Sequence, residues 1–330
     1  MYKAIKKNVC VIVLCYGDRL ECLKKTLDGV DNNKPGGILL VANAVTNRVQ
    51  NEINHRVYKN KNKYNVVISE KNIGSAGGYS LGIKEIVNGS NYQYLWLLDD
   101  DNCPDNDALD ELLKCCTKIS GMEDVAIAAR RINKGVYDPL GGWTGSIPIK
   151  GSCVGFNILN ILNKTANCKK TKTNEKYLPW SAYGGLLISL KLVRKIGFPK
   201  KDFFIYGDDL EWTLRINHCD KKILACPNAV INDLSPSWNC VGGKGGNLKR
   251  RIRDLDSFRV YYEVRNRTWI NRRYYPGRLY LYLLNKSIFI IAAFMIAIRY
   301  KRIKRFILIK RAIKDGELNR LGVFYDINNY

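Results

Sequence analysis

The hydrophobic and polar positions of the chain follow a repeating order through its first hundred residues. Mostly apolar runs of strand length occupy residues 8–15, 38–41, 65–68 and 94–98. After the first run, Leu20, Leu23, Leu27 and Val30 recur at helical spacing, and a second helix is predicted over 79–87. Strands that alternate with helices are typical of βαβ units. The pattern therefore predicts an α/β protein with a mostly parallel sheet flanked by helices.

The run 94–98 leads directly into three carboxylates, Asp99, Asp100 and Asp101. An unbroken apolar run suits a strand that is buried on both faces, and ligands of open α/β sheets bind at the carboxyl ends of the strands. If the chain stays extended, Asp99 and Asp101 lie on one side and Asp100 on the other. Like charges on one side repel unless a cation lies between them, and carboxylate oxygens suit Mg²⁺ or Mn²⁺. The alternative is an acidic turn before the helix predicted over 108–116.

A glycine-rich segment, residues 70–78, follows the third strand. Backbone amides in such a turn can approach a phosphate or a sugar, with the helix N-terminus facing the anion. A tight turn from strand to helix explains the same glycines equally well, so the segment alone does not predict a binding site.

A second acidic cluster follows the aromatic run at 203–206. It comprises Asp208, Asp209 and Glu211, and it precedes a helix predicted over 213–218. An aspartate at a helix start is commonly an N-cap, and capping lowers the pKa of its carboxyl group. A cap accounts for one carboxylate but not for three in four residues, so a second carboxylate is expected to face a cleft.

The net charge of +24 arises from 54 Lys and Arg against 30 Asp and Glu. From Lys249 onward there are 20 Lys and Arg but only 6 Asp and Glu, which places +14 of the excess in this segment. Such an asymmetry indicates an anionic partner, which is a nucleic acid, a nucleotide ligand or anionic lipid.

The eleven cysteines include no C-x-x-C pair and no spacing typical of a zinc site, and no signal peptide begins the chain. We therefore expect reduced thiols in a cytosolic protein. The two histidines, His55 and His218, have polar neighbours in sequence, and we expect them to be solvated rather than catalytic.

Residues 279–298 are mostly apolar, but Asn285, Lys286 and Ser287 interrupt them. The uninterrupted part, 288–298, is shorter than the about 20 residues that cross a bilayer, and the basic segment 299–306 follows it. Apolar and basic residues in succession favour helices that lie in an anionic membrane surface. The alternative is a buried helix with a solvated basic neighbour.

Five segments, in this order, resemble motifs of the family 2 glycosyltransferases, which have the GT-A fold. Residues 15–19 resemble the family's strand and Tyr-Asn-Arg turn, 72–79 its Asn-x-Gly-x-Ala-Gly-Gly segment, and 99–101 its metal motif. Residues 207–212 resemble the Asp-Asp-x-Glu-aromatic motif that supplies the catalytic base. Residues 261–267 resemble the Tyr-x-x-x-Arg-Asn segment of the galactofuranosyl- and rhamnosyl-transferase branch.

The resemblance implies a role for individual residues. Asp209 is the implied catalytic base, with Asp208 as the second candidate. The implied donor-binding residues are Tyr16, Asn43, Asn72, Gly74, Gly77, Gly78, Asp99 and Asp100. The implied acceptor-binding residues are Trp180, Glu211 and Trp212, although the two tryptophans suit an ordinary apolar core equally well. The implied ligands of a Mn²⁺ or Mg²⁺ cofactor are Asp99, Asp101 and Asp233.

Two departures from the family pattern bear on these roles. The second strand ends in Ala42-Asn43, where the family has an Asp and an Asn. Asp233 follows Asn232 near the place of the family's metal-binding His. Either Asp233 supplies an oxygen ligand, or fewer protein groups hold the metal.

We predict a GT-A catalytic domain over residues 1–235 and a basic, helical, membrane-associating region over 236–330. The resemblance implies an inverting transfer of galactofuranose or rhamnose from a UDP or dTDP donor. The implied acceptor is a hydroxyl of a lipid-linked glycan in bacterial surface polysaccharide synthesis. We expect a cytoplasmic protein that is peripheral at the inner face of the cell membrane and has no nucleic-acid partner.

Two other functions remain open at this point. A sugar-phosphate nucleotidyltransferase also uses paired aspartates on a Rossmann-like sheet, but it requires a glycine-rich basic loop after the first strand, and residues 15–19 are not one. A non-enzymatic nucleic-acid-binding protein is consistent with the charge alone, because no nucleic-acid-binding motif accompanies it.

Overall fold

The computed structural model describes residues 5–117, 124–132, 137–138, 142–143, 150–159, 177–235, 247–325 and 327. The chain forms two compact units. The first unit comprises residues 1–145, 173–201 and 208–237, and the second comprises 146–172, 202–207 and 238–330. The sequence predicted one boundary, between residues 235 and 236. The second unit also contains residues 146–172 and 202–207, which lie before that boundary.

The strands of the described residues all belong to the first unit. They are β1 (Val9–Gly17), β2 (Gly37–Val45), β3 (Tyr64–Ser69), β4 (Tyr94–Asp99), β5 (Asn102–Pro104), β6 (Ala126–Ile132), β7 (Tyr137–Asp138), β8 (Gly142–Trp143), β9 (Tyr177–Leu178), β10 (Leu186–Ser189) and β11 (Ile223–Asp233). The helices of this unit are α1 (Leu20–Asn33), α2 (Asn47–Lys59), α3 (Gly74–Gly89), α4 (Ala108–Thr117), α5 (Leu190–Ile196) and α6 (Asp208–His218). Short 3-10 helices cover Lys6–Asn8 and Lys201–Phe203.

The main sheet has the strand order β3-β2-β1-β4-β10-β6-β11-β5, and β9 pairs with β11 beside this path. Strands β3, β2, β1 and β4 are parallel, whereas β10 runs antiparallel to both β4 and β6. The predicted α/β class is confirmed, and the sheet is mixed because of the reversed strand β10. The carboxyl ends of the four parallel strands therefore share one edge of the sheet.

Successive side chains of the central strands pack into cores on opposite faces of the sheet. Val11 and Val13 pack against one core with residues of α1, α2 and α4, whereas Ile12 packs against the other with residues of α3, α5 and α6. Such alternation is the two-residue period of an extended strand. It explains why β1 and β4 read as unbroken apolar runs, since both faces of these strands are covered by helices.

The described helices of the second unit are α7 (Asn247–Arg253), α8 (Ser257–Tyr274), α9 (Leu279–Arg299) and α10 (Ile303–Glu317). They pack around a separate apolar core that also contains Cys153, Val154 and Phe204. Helix α9 is continuous over 21 residues and contains an 18-residue window with a mean hydropathy of 2.1, so by length and composition alone it could cross a membrane. Asn285, Lys286 and Ser287 continue the helix rather than end it, so the helix is longer than the uninterrupted apolar part 288–298.

Candidate active site

The predicted acidic strand end lies at the shared edge of the parallel strands. Asp99 is the last residue of β4, and Tyr16 and Asn43 are paired residues near the ends of β1 and β2. The chain turns at Asp100 and Asp101 before β5 begins. The premise that an extended backbone places Asp99 and Asp101 on one side was therefore wrong, because the backbone leaves the strand after Asp99.

Arg19 holds the carboxylates of this turn. Its Nη1 donates to Asp100 Oδ1 and its Nη2 donates to Asp101 Oδ2, each at a distance of 2.7 Å. The backbone N–H of Tyr16 donates to the other oxygen of Asp100 at 3.1 Å. Both carboxylates are buried. One guanidinium therefore offsets only part of two buried charges, and burial still raises the pKa of Asp100 to about 7.

A second guanidinium performs the same task for Asp233 at the end of β11. Arg131 donates to both oxygens of this carboxylate, through Nε at 3.2 Å and through Nη2. Asn102 donates to Asp233 at 2.9 Å and to Asp101 at 3.0 Å, so one buried amide links the two carboxylates. A Cβ at Gly184 would lie 2.1 Å from Asn102 Oδ1, so only glycine lets this backbone approach the network.

The polar side chains of the glycine-rich segment hold the segment itself. Asn43 is buried; its Oδ1 accepts the N–H of Ile73 at 2.9 Å, and its Nδ2 donates to the carbonyl of Gly74 at 3.2 Å. Asn72 Oδ1 accepts the N–H of Gly74 at 2.9 Å. These contacts fix the turn from β3 into α3, which begins at Gly74 with φ +70°.

The next two glycines let α3 pack closely. A Cβ at Gly78 would lie 2.4 Å from Leu14 Cδ1 in β1, and one at Gly77 would lie 2.8 Å from the Ile73 side chain. Both residues are buried. The two predicted explanations were approach to a ligand and a tight turn from strand to helix. The contact of Gly77 with Ile73 in the turn, and that of Gly78 with β1, support the tight turn and the close packing that follows it.

The second acidic cluster forms the first turn of α6. Ser75 donates to Asp208 Oδ2 at 2.8 Å, and the backbone N–H of Leu210 donates to Asp209 Oδ1 at 2.7 Å. Burial raises the pKa of both carboxyl groups; the charge of Asp209 adds to the shift at Asp208, and the charge of Asp99 adds to the shift at Asp209. The expectation of one capping carboxylate with a lowered pKa was wrong, because burial outweighs the hydrogen bonds.

Two buried tyrosines accompany these carboxylates. Tyr79 OH donates to Asp99 Oδ1 at 2.8 Å, and the ring of Tyr183 lies 4.1 Å from the ring of Tyr79 between centroids. Burial and then the charges of Asp208 and Asp209 raise the pKa of Tyr183. The Tyr183 hydroxyl is buried and has no hydrogen-bond partner among the described residues. A buried hydroxyl donor without a partner is uncommon in folded proteins.

No protein-family model matches the chain. The galactofuranosyltransferase GlfT1 of Mycolicibacterium smegmatis is 23% identical over 266 residues, which cover 79% of this chain and 82% of that protein. The galactofuranosyltransferase GlfT1 of Mycobacterium tuberculosis is 28% identical over 165 residues, which cover 49% of each chain.

Two solved structures share the fold. GalNAc-T7 with UDP, GalNAc and Mn²⁺ has a TM-score of 0.52 and 16% identity, and the match covers 86% of this chain and 55% of that one. The mannosyltransferase PcManGT of Pyrobaculum calidifontis with GDP-Man and Mn²⁺ has a TM-score of 0.52 and 12% identity, and it covers 97% and 77%. The chain therefore has the GT-A fold, and its similarity to the galactofuranosyltransferases supports a family 2-like glycosyltransferase assignment. The order of its sequence motifs had predicted this assignment.

The predicted metal ligands of this glycosyltransferase do not form a three-ligand site. Among the residues that the structure describes, no group of three or more His, Cys, Asp or Glu side chains is placed to hold a metal ion. Asp101 and Asp233 are each bound by a guanidinium, whereas Asp99 accepts a hydrogen bond from a neutral tyrosine. Asp99, Asp101 and Asp233 therefore do not fit a shared divalent ion in this arrangement, since Arg19 and Arg131 already supply the positive charge.

Two of the three predicted acceptor-binding residues lie in the protein interior. Trp212 has no exposed surface, and its Nε1 donates to the carbonyl of Gly197 at 2.7 Å. Glu211 is 1% exposed and forms an ion pair with Arg215 in the same helix. Neither side chain is available to an acceptor, so these two predictions were wrong. Trp180 is half-buried in the turn before β10, and its acceptor role stays a prediction.

The galactofuranosyl-like segment of α8 has a structural role in the second unit. Arg265 is 1% exposed and donates to the carbonyls of Phe203 and Gly322 at 2.9 and 2.6 Å. Asn266 Nδ2 donates to the carbonyls of Phe203, Ile205 and Tyr206 within 3.0 Å. Both side chains are occupied by backbone carbonyls, so they give no direct information about the donor sugar.

Arg131, Ser75, Tyr79 and Tyr183 were not predicted as site residues, and Arg19 was noted only as part of a turn. For Arg131 and Tyr183, no sequence motif gives their position next to a carboxylate. For Ser75 and Tyr79 a signal was available, because both lie within the segment 72–79 that resembles a family motif.

Proposed function

We propose that this glycosyltransferase transfers galactofuranose, or alternatively rhamnose, from a UDP or dTDP donor to a hydroxyl group of a lipid-linked glycan. The observation that carries the proposal is the pair Asp208 and Asp209 in the first turn of α6, of which Asp208 is buried and Asp209 is half-buried. The charge of Asp99, at the end of β4, contributes to the raised pKa of both carboxyl groups. The similarity to two galactofuranosyltransferases supports the choice of sugar. It also favours glycosyl transfer over nucleotidyl transfer and over nucleic-acid binding.

In the proposed reaction Asp209 accepts the proton of the acceptor hydroxyl. The oxygen of that hydroxyl forms a bond to the anomeric carbon, while the bond from this carbon to the diphosphate breaks and its electron pair leaves with the nucleotide. A raised pKa makes a carboxylate a stronger base, and a positioned base contributes about 10²–10⁴-fold to the rate. Attack from the face opposite the leaving group inverts the anomeric centre.

Donor binding is proposed at the carboxyl edge of the parallel strands. Tyr16 is 51% exposed there and is free to pack against a nucleotide base, while its backbone N–H holds Asp100. Asn72 is exposed in the loop before α3. Asn43, Gly74, Gly77 and Gly78 are buried and would act on the donor indirectly, by fixing the loop that carries Asn72.

The direct test is a screen of nucleotide sugars for nucleotide release that depends on a synthetic lipid-linked glycan. We expect release of UDP from UDP-galactofuranose and a product whose anomeric configuration, measured by NMR, is opposite to that of the donor. Pyrophosphate as the product would overturn the proposal in favour of nucleotidyl transfer. A product with retained configuration would exclude Asp209 as a base for direct displacement.

Dependence on Mn²⁺ or Mg²⁺ is part of the proposal, and its support is the Mn²⁺ in the structures of GalNAc-T7 and PcManGT. To share such an ion, Asp101 and Asp233 would have to exchange Arg19 and Arg131 for it. Activity is expected to vanish after treatment with a chelator and to return with Mn²⁺ or Mg²⁺. Full activity in excess chelator would mean that guanidinium groups suffice to balance the charges of the site.

A further inference from the structure

The exposed face of helix α9 is apolar. The buried positions recur at helical spacing, at Tyr282, Asn285, Phe289, Ala293 and Ala297. Apart from Ser287 and Arg299, the exposed residues of the helix are all apolar or aromatic, namely Leu279, Tyr280, Leu283, Leu284, Ile291, Phe294, Met295 and Ile298. Ile291 and Met295 are 62% and 61% exposed. A helix at a water-exposed surface normally shows charged and polar residues on this face, so α9 exposes a surface that suits an apolar environment.

The apolar face continues from α9 to the first turns of α10. The rings of Phe294 and Phe306 lie 5.2 Å apart, and Ile303 and Ile307 are exposed beside them in the chain. We call this surface, formed by the exposed apolar residues of α9 together with Ile303, Phe306 and Ile307, the apolar ridge. It is larger than the single exposed apolar residues that most protein surfaces carry.

Basic side chains accompany the apolar ridge. The exposed ones between residues 299 and 320 are Arg299, Lys301, Arg302, Lys304, Lys310, Arg311, Lys314 and Arg320. Asp315 is buried and pairs with Arg311 at 2.8 Å and with Arg320 at 3.9 Å, and Glu317 is paired with Lys286. The basic character of this surface therefore rests on Arg299, Lys301, Arg302, Lys304, Lys310 and Lys314. Apolar side chains flanked by lysine and arginine match the interface of an anionic bilayer, where the acyl chains meet the phosphate groups.

We propose that the apolar ridge docks in the plane of an anionic membrane surface, with α9 lying in the interface rather than crossing the bilayer. The polar groups on its inner side argue against crossing. Asn285 donates to the carbonyl of Gly151 at 2.9 Å and accepts the N–H of Ile158 at 2.8 Å. Lys286 is paired with Glu317 at 2.6 Å. If α9 crossed a bilayer, this ion pair and the backbone of residues 151–158 would have to enter hydrocarbon, which is costly.

Docking would bring the protein to the lipid-linked acceptor of the proposed function. Only this link to the acceptor rests on the proposed function. Its test needs no sugar. Full-length protein is mixed with vesicles of phosphatidylglycerol and phosphatidylcholine, or of phosphatidylcholine alone, and the bound fraction is measured by sedimentation. We expect binding to the anionic vesicles at low salt and release at high salt or alkaline pH, as for a protein held at the surface.

Two variants separate the apolar and the basic contributions. Ile291→Glu/Met295→Glu is expected to lower the partition coefficient at least about tenfold, because two side chains no longer enter the interface. Lys301→Gln/Lys304→Gln is expected to lower it by about fivefold for each lysine. The matched control for the first variant is Tyr58→Glu, an equally simple change of an exposed side chain in α2 of the other unit. Thermal melting verifies that each variant is folded.

Several outcomes would overturn the inference. Equal binding by the wild type and by Ile291→Glu/Met295→Glu would exclude the apolar ridge as the docking surface. Protein that resists both high salt and alkaline extraction would indicate a helix that crosses the bilayer. A protein that ignores vesicles but changes from dimer to monomer in the Ile291→Glu/Met295→Glu variant would assign the ridge to a second copy of the chain. Failure of sugar transfer with intact vesicle binding would instead contradict the proposed function alone.

Discussion

The aspartates of the first unit differ in the partners that each one has. Asp100, Asp101 and Asp233 are paired with arginine, whereas Asp208 accepts a hydrogen bond from the Ser75 hydroxyl and Asp209 accepts one from the backbone N–H of Leu210. A carboxylate that is paired with arginine is a poor base, because the cation stabilises its ionised form. For Asp100 burial outweighs this effect and raises the pKa to about 7, but N–H donors already occupy both of its oxygens. Asp208 and Asp209, whose pKa values burial also raises and which have no arginine partner among the described ion pairs, are the better candidates for proton transfer.

Asp209→Asn is expected to lower turnover at least about 10²-fold, because an amide cannot accept the acceptor's proton. The fold and the donor affinity are expected to persist, since the amide oxygen can still accept the N–H of Leu210. Rate, donor affinity by calorimetry and thermal melting are measured on the same preparation.

Asp208→Asn is the matched control for this prediction. It retains an oxygen that can accept from Ser75 Oγ, and we expect it to weaken acceptor binding or stability rather than the chemical step. If Asp208→Asn is folded and inactive while Asp209→Asn turns over normally, the two roles are exchanged. Normal turnover in both variants would place the catalytic centre elsewhere.

Removal of the guanidinium at Arg131 is expected to lower the free energy of unfolding by about 3–5 kcal/mol. The Arg131→Met variant leaves the charge of Asp233 buried without its partner, and an uncompensated buried charge costs energy of this size. Urea denaturation measures the change. Arg131→Met/Asp233→Asn removes the uncompensated charge and should recover part of the loss, whereas a double variant no more stable than Arg131→Met would refute the electrostatic explanation.

For single residues, the sequence predicted the positions of the carboxylates but not the arginines that pair with them. Asp99–Asp101 and Asp208–Asp209 are recognisable because like charges cluster next to apolar runs. Arg19 lies 81 residues from Asp100, and Arg131 lies 102 residues from Asp233. Partners at such separations are set by strand order and not by local pattern, so the guanidinium groups that occupy two of the predicted metal ligands were not foreseen.

Among the elements, α3 shows how glycine serves packing rather than ligand binding. It contains Gly74, Gly77, Gly78 and Gly82, residues that a helix otherwise disfavours. A Cβ at Gly82 would lie 2.7 Å from Val41 Cγ2 and 3.1 Å from Ile12 Cγ2. Both neighbours are buried, β-branched side chains of the central strands, which are stiff at χ1 and have little room to move.

Gly82→Ala is therefore expected to lower the free energy of unfolding by about 1–3 kcal/mol through overpacking. Gly89→Ala is the control at the end of the same helix, because nothing lies within 4 Å of a Cβ at that position. It is expected to be neutral or to stabilise by up to about 1 kcal/mol through helix propensity. Chemical denaturation of both variants measures the difference. Equal effects would contradict a role for Gly82 in helix-to-sheet packing.

The strength of the local pattern decided which elements could be predicted. Strands β1 and β4 are apolar on both faces and were placed correctly. Helix α2 buries only Val49 and Ile53, so its sequence is polar and ambiguous although the helix packs against the sheet. Helix α3 begins at Gly74 rather than at Tyr79, because tertiary packing outweighs the low propensity of its glycines. The direction of β10 and the place of β11 depend on pairing with distant strands, which periodicity does not reveal.

For the whole molecule, the net charge of +24 and the apolar ridge of α9 and α10 bear on the same question, which is where the enzyme meets its acceptor. Nucleic-acid binding was one explanation of the charge, but part of the basic excess lies on α10 beside exposed apolar side chains. That combination matches a lipid interface better than it matches a sugar-phosphate backbone, which offers no apolar region of comparable extent.

The final prediction concerns the salt dependence of activity. Transfer to a glycan acceptor embedded in anionic vesicles is expected to fall as ionic strength rises. Salt shortens the range of the attraction between the basic side chains and the membrane, to about 10 Å at 0.1 M. Transfer to a short, water-soluble acceptor is expected to change far less, because it requires no docking. The assay compares initial rates for both acceptors over the same salt series, with the acceptor in phosphatidylcholine vesicles as the uncharged reference. Lys301→Gln/Lys304→Gln should flatten the salt response on anionic vesicles and leave the soluble assay unchanged. If salt affects both acceptors equally, the charge acts at the nucleotide site and not at the membrane.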